Sequence, residues 1–77
     1  MTQTEFLNII EGILELDEGT LDGSEKLNEL AGWDSLAVVS FIAEIDSELD
    51  LTLNPNQLSN AQSIADLKAL VAEKLKV

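Results

Sequence analysis

A serine beside an aspartate, Asp34-Ser35, is the pair of residues in this chain most suited to carrying chemistry. A serine acts as a nucleophile when a neighbouring base activates its hydroxyl. The chain has no histidine and no cysteine, and the nearest lysine in sequence to Ser35 is Lys26. The composition therefore disfavours a small hydrolase that uses Ser35. It leaves two other roles for the serine, a helix cap and a site at which a group is attached to the hydroxyl.

Ser35 is the first residue of a long amphipathic segment. Its position at the start of a predicted helix says more about its role than the fact that it is a serine. At the N-terminus of a helix, the unpaired backbone amides and the positive end of the helix dipole favour a phosphate group. A phosphodiester on Ser35 would lie in such a field, with Asp34 well placed to cap the helix. Because Asp and Ser are favoured as caps of any helix, spacing alone supports only a structural role for the pair.

Two acidic runs invite a metal-site hypothesis. They are Asp17-Glu18-Gly19 with Asp22-Gly23, and the set Asp46, Glu48 and Asp50. An EF-hand calcium loop needs oxygen ligands at alternating positions and a glycine at its sixth position. The first run has Leu21 at a ligand position, and the second lacks the glycine and ends in an apolar stretch. We therefore predict no metal site and leave open only a loose association with divalent ions.

Helical periodicity predicts the elements that would position Ser35. The first helix is expected from about Gln3 to Leu16, and Thr2 with Glu5 fits a capping box at its start. Its predicted inward arc contains Phe6, Ile9, Ile10, Ile13 and Leu14. Its predicted outer face contains Glu5, Asn8, Glu11 and Glu15.

The second predicted helix runs from Ser35 to about Leu49 and is the most regular. Its inward stripe steps by three and four residues through Val38, Phe41, Ile42, Ile45 and Leu49. Pro55 prevents a helix from continuing through it but suits the first turn of a new one. A short third helix is therefore expected from about Asn56 to Ala61, with Leu58 facing inward.

The last predicted helix runs from Ser63 to about Lys76, with Ser63 as its cap. Its inward residues are Ile64, Leu67, Val71 and Leu75, and Lys74 and Lys76 suit the negative end of its dipole. The connection between the first two helices, Asp17 to Asp34, is long for so small a domain. Leu21, Leu27, Leu30 and Trp33 recur along it, so we expect this loop to pack against the helices, with Trp33 in a structural role.

Charge and size restrict the function classes. The 77 residues allow one domain, and their 45% apolar content is enough for a compact core. A formal charge of −11 disfavours nucleic acid and anionic lipid and favours basic partner surfaces. No apolar run is long enough to span a bilayer, no export signal is evident and cysteine is absent, so a cytoplasmic location is expected.

The run GWDSLAVVSFIAEIDSELDL, with Asp34-Ser35-Leu36 at its helix start, resembles the signature of the acyl and peptidyl carrier proteins. The resemblance extends over nearly the whole chain, through the long first loop, the Pro55 turn and the final Ser63-Ile64-Ala65-Asp66-Leu67 run. It implies an all-α fold, a four-helix acyl-carrier-like bundle with three longer helices, a short third helix and a long first loop. The whole of residues 1–77 would form this single carrier domain, which we expect to be monomeric.

The resemblance also implies a role for Ser35. A phosphopantetheinyl transferase would attach 4′-phosphopantetheine from coenzyme A to its hydroxyl, and the thiol of that arm would hold an acyl or aminoacyl group as a thioester. The chain itself would not be an enzyme, because the chemistry belongs to the arm and to the loading enzymes, synthases and other enzymes that visit it. Internal apolar residues could part around a lipid-like cargo.

Partner enzymes would meet the residues around and beyond Ser35. No basic residue lies between Leu27 and Leu67, so the acidic side chains there would attract basic surfaces. The predicted partner-binding residues are Asp34, Leu36, Val39, Glu44, Asp46, Glu48 and Asp50. Carriers of fatty-acid synthesis usually have acidic residues in the first two turns after the serine, where this chain has Ala37 and Ser40. This departure favours partners with an apolar surface near Ser35, and hence a secondary-metabolite or dedicated acyl pathway.

Two alternatives to an acyl carrier remain open at this stage. The same fold could serve as an aminoacyl or peptidyl carrier of nonribosomal peptide synthesis. An acidic interaction domain that mimics nucleic acid would explain the charge of −11 without using Ser35.

Overall fold

The computed structural model describes residues 1–75, which form four α-helices joined by loops. The helices are α1 Gln3–Ile13, α2 Ser35–Leu49, α3 Pro55–Ser59 and α4 Ile64–Leu70, and two 3₁₀ turns are Leu27–Glu29 and Ala72–Lys74. In this part of the chain no strand forms, and Lys26 and Ser63 make an isolated antiparallel bridge. None of its helices has the length and apolar character needed to cross a bilayer. The all-α four-helix class expected from the sequence is confirmed.

Apolar side chains from all four helices meet in one core. Its most deeply buried members are Phe6, Ile10, Phe41, Ile45, Leu58, Ile64, Leu67 and Val71. Burying a side chain of this size stabilises the fold by roughly 1.5–3 kcal/mol. Phe6 of α1 and Phe41 of α2 meet edge to face, with ring centroids 5.9 Å apart. This contact anchors α2 against α1 and so fixes the direction in which the N-terminus of α2 points.

The start of α1 follows the prediction, but its end does not. Thr2 and Glu5 form the expected capping box: the Glu5 N–H donates to Thr2 Oγ1 at 3.1 Å, and the Thr2 N–H donates to Glu5 Oε1 at 3.0 Å. The helix ends at Ile13 rather than Leu16 because Glu15 adopts a left-handed conformation, with φ 60°. The N–H groups of Leu16 and Glu15 then bond to the carbonyls of Glu11, at 2.8 Å, and Gly12, at 3.3 Å. This is the Schellman ending, here with glutamate in place of the usual glycine.

The prediction that Glu11 faces solvent is wrong. Its side chain is only 2% exposed, and Oε2 accepts the backbone N–H of Leu21 at 2.9 Å. The first loop folds back over the last turn of α1 and covers this face, so helical periodicity alone assigns Glu11 to the wrong environment. The other carboxylate oxygen, Oε1, is buried and has no hydrogen-bond partner within residues 1–75.

The long first loop packs against the helices, as expected. Leu21 and Leu27 are buried, while Leu30 and Trp33 are partly buried against the core. Two backbone hydrogen bonds also tie the loop to the segment before α4: the Leu27 N–H donates to the Gln62 carbonyl at 2.9 Å, and the Ile64 N–H donates to the Glu25 carbonyl at 3.1 Å. The loop therefore approaches α2 from a fixed position.

The bounds of the two C-terminal helices differ from the predicted ones. The third helix begins one residue earlier than predicted, and the fourth ends earlier. Pro55 is itself the first residue of α3, and Asn54 caps that helix by accepting the Gln57 N–H at 3.0 Å. Ser63 caps α4 as expected, but this helix ends at Leu70, and the chain continues as the tighter turn Ala72–Lys74. Val71 remains buried through this change, so the apolar pattern continues where the α-helix does not. Lys76, assigned to the last turn of the predicted helix, lies outside the described residues.

Candidate functional site

Asp34 caps the helix that begins at Ser35. Its backbone is extended, and its Oδ1 accepts the Ala37 N–H at 3.0 Å while its carbonyl accepts the Val38 N–H at 3.0 Å. An N-cap side chain in this arrangement satisfies one of the amides that the first turn leaves without a carbonyl partner. The predicted cap is confirmed, and it is Asp34, not Ser35, that fills this role.

Ser35 is therefore free of a structural duty at the helix start. It is the first residue of α2 and is exposed, and within residues 1–75 its hydroxyl makes no hydrogen bond. The N–H groups of Ser35 and Leu36 likewise have no acceptor in that part of the chain. Two unpaired amides at the positive end of a 15-residue helix suit an anionic group on the Ser35 hydroxyl. The residues present therefore fit the phosphodiester that the family resemblance implies.

The turn before Ser35 is built by glycine. Gly32 has φ 91°, a conformation that residues with a Cβ adopt rarely, and it lies against Leu14, whose Cδ2 would be in ordinary contact with an added Cβ at 3.5 Å. The next residue, Trp33, donates its backbone N–H to the Leu30 carbonyl at 3.3 Å. This turn brings the loop close to α1 and then directs the chain into α2, with Ser35 facing outward.

A groove opens beside this turn. It has a volume of about 930 Å³, within the range of roughly 300–1,000 Å³ of small-molecule sites. One wall is Trp33, Asp34 and Val38, at the start of α2, and the facing wall comes from α3 and the connection to α4. The remaining lining residues are Lys26, Leu27, Asn28, Leu58, Ser59, Ala61, Gln62, Ser63 and Asp66. Sequence patterns missed this groove because its two walls are far apart in the chain.

The predicted partner-binding residues form two separate groups on α2. Leu36 and Val39, directly after Ser35, are 77% and 61% exposed, which is high for large apolar side chains. Glu44, Asp46 and Glu48 are all exposed but lie farther along the helix, the nearest of them about 14 Å beyond Ser35 at 1.5 Å per residue. Asp50 ends the helix in a left-handed conformation, with φ 54°.

The acidic residues do not lie on the outermost line of α2. With about 100° between successive residues, the stripe opposite the buried Phe41 and Ile45 is neutral. Its exposed residues are Leu36, Ser40, Ala43 and Ser47. Glu44 and Glu48 lie on one flank of this stripe, and Asp46 lies on the other, where its Oδ1 accepts the Thr52 hydroxyl at 3.3 Å. The structure thus brings Asp34, Leu36 and Val39 next to Ser35 and places Glu44, Asp46 and Glu48 farther along α2.

Two carboxyl groups have lowered pKa values, and both lie outside this site. The Thr2 N–H, and then the Thr2 hydroxyl, lower the pKa of Glu5. The Ser24 hydroxyl, and then the Ser24 N–H, lower the pKa of Asp22. Among residues 1–75, no group of three or more histidine, cysteine, aspartate or glutamate side chains could hold a metal ion. The acidic runs considered for calcium are therefore not assembled into a ligand set.

Comparison with known proteins finds a family model and a solved structure that are similar to this chain. The family model described as "Phosphopantetheine attachment site" matches residues 4–75. A solved structure from Mycobacterium tuberculosis, of a protein assigned as an acyl carrier protein, superimposes with a TM-score of 0.76 at 26% sequence identity. The alignment covers 90% of this chain and 92% of that one. No curated protein sequence is significantly similar to the chain.

Proposed function

The chain belongs to the phosphopantetheine attachment site family, and from this membership we propose that Ser35 is the residue to which the prosthetic group is attached. Members of this family are non-enzymatic carriers of the acyl carrier type, with 4′-phosphopantetheine as their prosthetic group. The observation that carries the proposal is the exposed, unbonded Ser35 at the first turn of α2, beside a cap supplied by Asp34. In the part of the chain that the structure describes, no other group bonds to the Ser35 hydroxyl.

Attachment would proceed as a displacement on coenzyme A. The Ser35 oxygen attacks the phosphorus that bears the pantetheine, forming a Ser–O–P bond while the pyrophosphate bond breaks and adenosine bisphosphate leaves. The hydroxyl proton passes to a base of the phosphopantetheinyl transferase, because this chain has no histidine or cysteine to accept it. The N-terminal amides of α2 would then face the new phosphodiester. When bound, the arm supplies the thiol that forms thioesters with acyl groups.

We further propose that partner enzymes dock on α2 through Asp34, Leu36, Val39, Glu44, Asp46, Glu48 and Asp50. Leu36 and Val39 would enter an apolar depression beside the partner's active site, since they are highly exposed and directly follow Ser35. The acidic side chains farther along would pair with basic residues on the partner and speed its approach. The first two turns of α2 have no acidic side chain, so a polyketide or other secondary-metabolite pathway, or a dedicated fatty-acid-like pathway, fits this helix better than general fatty-acid synthesis.

Mass spectrometry tests the attachment site. The purified protein is incubated with coenzyme A, Mg²⁺ and a promiscuous phosphopantetheinyl transferase, in parallel with Ser35→Ala and Ser40→Ala. Ser40 is an exposed serine on the same helix and serves as the matched control. We expect the mass of one phosphopantetheine to be added to the wild type and to Ser40→Ala, but not to Ser35→Ala. A gain in Ser35→Ala would show that another residue is modified, and no gain in the wild type would refute the carrier proposal.

The cargo class is tested on the loaded protein. The apo protein is incubated with the transferase and with acyl- or aminoacyl-coenzyme A, so that the arm is attached to Ser35 together with its thioester cargo and adenosine bisphosphate leaves. The loaded proteins are then offered to acyl synthases and to peptide-forming condensation enzymes. Turnover of acyl thioesters alone supports the acyl carrier, and turnover of aminoacyl thioesters alone would favour the peptidyl carrier.

A further inference from the structure

The groove beside Ser35 has an aromatic wall that is held in place from behind. The Trp33 ring meets the Phe41 ring edge to face, with centroids 6.0 Å apart and an angle of 70° between the ring planes. Phe41 is fully buried, so it cannot shift without disturbing the core. Trp33 is partly buried against that core and also lines the groove. The indole therefore offers a fixed apolar surface to anything that lies in the groove.

The groove also has one cationic side chain, Lys26. The backbone at this position is fixed, because Lys26 forms the antiparallel bridge with Ser63 and the flanking bonds join Leu27 to Gln62 and Glu25 to Ile64. The Lys26 side chain is exposed, and its ammonium group forms neither an ion pair nor a hydrogen bond within residues 1–75. Lys26 is the one basic residue that lines the groove among residues 1–75.

The two aspartates of the groove each accept a backbone N–H. Asp34 accepts the Ala37 N–H at 3.0 Å, and Asp66 accepts the Gln62 N–H at 2.9 Å. Each carboxylate thus has one oxygen engaged near a helix start, and Lys26 is the charged hydrogen-bond donor among the described residues that line the groove. The apolar side chains below, Leu27 and Leu58, are 5% and 2% exposed, so the groove has a closed floor.

We propose that Trp33 and Lys26 are positioning residues that hold the phosphopantetheine arm along this groove, on the surface of the protein. The inference rests on the proposed attachment at Ser35, the neighbour of Asp34 in the groove wall. The arm has an apolar part, the geminal methyl groups, which pack against the indole of Trp33. It also has amide carbonyls, a hydroxyl and a phosphodiester, to which the Lys26 ammonium donates. Because the floor is closed, the arm lies over the core and its thiol remains accessible to partner enzymes.

The test compares the apo and holo proteins after mass spectrometry has verified complete loading. Trp33 is the only tryptophan, so its fluorescence reports directly on the groove. We expect the holo protein to show emission at shorter wavelength and less quenching by acrylamide than the apo protein. Isotope-filtered nuclear Overhauser effects, with a ¹³C-labelled protein and an unlabelled arm, should connect the indole protons of Trp33 to the geminal methyl groups. Loading without these contacts would overturn the inference and leave the proposed function intact, whereas failure of loading would refute the function itself.

A lysine pair tests the contribution of Lys26. Lys26→Gln keeps a long polar side chain but removes the charge, and Lys74→Gln makes the same change at an exposed lysine that does not line the groove. We expect the difference in quenching between apo and holo to shrink in Lys26→Gln and to persist in Lys74→Gln. High salt should shrink the difference in the wild type as well, because it screens the charge. Equal behaviour of the two variants would contradict the role of Lys26.

Discussion

The carboxylate of Glu11, on the last full turn of α1, accepts the backbone N–H of Leu21 at 2.9 Å, across ten residues of sequence. Leu21 is the first buried residue of the long loop that leads to Ser35. The same glutamate offers its backbone carbonyl to Leu16, so one residue both ends α1 and fixes the course of the chain beyond it. The course of the loop that leads to Ser35 therefore depends on a hydrogen bond at the end of α1.

Replacing Glu11 with alanine should destabilise the protein by about 1–3 kcal/mol, because the buried Leu21 N–H loses its acceptor. Glu11→Gln retains an acceptor oxygen at the same position and should lose less. Urea unfolding measures both changes, and hydrogen exchange of the Leu21 amide shows whether the loss begins at this contact. Glu18→Ala, at an exposed loop position, serves as the control. Equal losses in the alanine and glutamine variants would show that the hydrogen bond is not the source.

Removing the cap of α2 should weaken the helix that presents Ser35. Asp34→Ala leaves the Ala37 N–H without its partner, and cap losses of this kind cost about 0.5–2 kcal/mol. Asp34→Asn keeps an acceptor and should remain close to the wild type in stability. Urea unfolding followed by circular dichroism measures the effect. If Asp34→Ala unfolded at the wild-type urea concentration, another group, such as the Ser35 hydroxyl, would have to replace the cap.

The start of α2 could be predicted from the sequence because its determinants are local. The Asp34 cap lies directly before the helix, and the apolar stripe from Val38 to Leu49 repeats with helical spacing, so the bounds Ser35–Leu49 agree with the structure. The core positions of Phe6, Phe41 and Leu58 follow from the same periodicity. Local capping and a regular apolar stripe were enough to define the helix and its inward face.

The parts that could not be predicted depend on contacts between distant segments. Glu11 is polar at a position that periodicity assigns to solvent, and only the returning loop makes it buried. Glu15 adopts a left-handed conformation. A sequence predicts this helix ending when glycine or asparagine occupies the position, and here the residue is glutamate. Trp33 was expected to be structural, and it does contact Phe41, but the groove on its other side requires α3 and the segment before α4 to be in place.

Substitutions of an exposed leucine, Leu36, and of a buried one, Leu58, should have different effects on partner docking and on stability. Leu36 is 77% exposed, so Leu36→Ala should change the free energy of unfolding by no more than about 0.5 kcal/mol. It should nevertheless raise the KM of partner enzymes for the loaded protein, since the apolar contact next to Ser35 is lost. Leu58 is 2% exposed, and Leu58→Ala should cost about 2–5 kcal/mol. Urea unfolding and steady-state kinetics with a partner synthase measure the two effects. An unchanged KM for Leu36→Ala would remove Leu36 from the proposed docking surface.

The capping box at the start of α1 should make the free energy of unfolding depend on pH through Glu5. The substitution Glu5→Gln should remove this contribution. Hydrogen bonds from the Thr2 N–H, and then from the Thr2 hydroxyl, lower the pKa of Glu5 below its ordinary value of 4.5. A carboxyl group whose pKa is lower in the folded state stabilises the fold above its unfolded pKa, and this contribution disappears as the pH falls through the folded value. Glu5→Gln preserves the capping box, since glutamine also suits this position, but it cannot titrate.

Chemical unfolding of the wild type and of Glu5→Gln, at a series of pH values from about 6 down to about 3, isolates this contribution. Asp22, whose pKa is also lowered, is present in both proteins, so its contribution cancels in the difference. The same holds for the relief of repulsion as a chain with a formal charge of −11 at pH 7 becomes protonated. We expect the stability advantage of the wild type over Glu5→Gln to be constant above about pH 5 and to shrink as the pH falls below 4.5. A difference that stayed constant over the whole range would mean that the Thr2 and Glu5 hydrogen bonds do not favour the ionised carboxylate in solution.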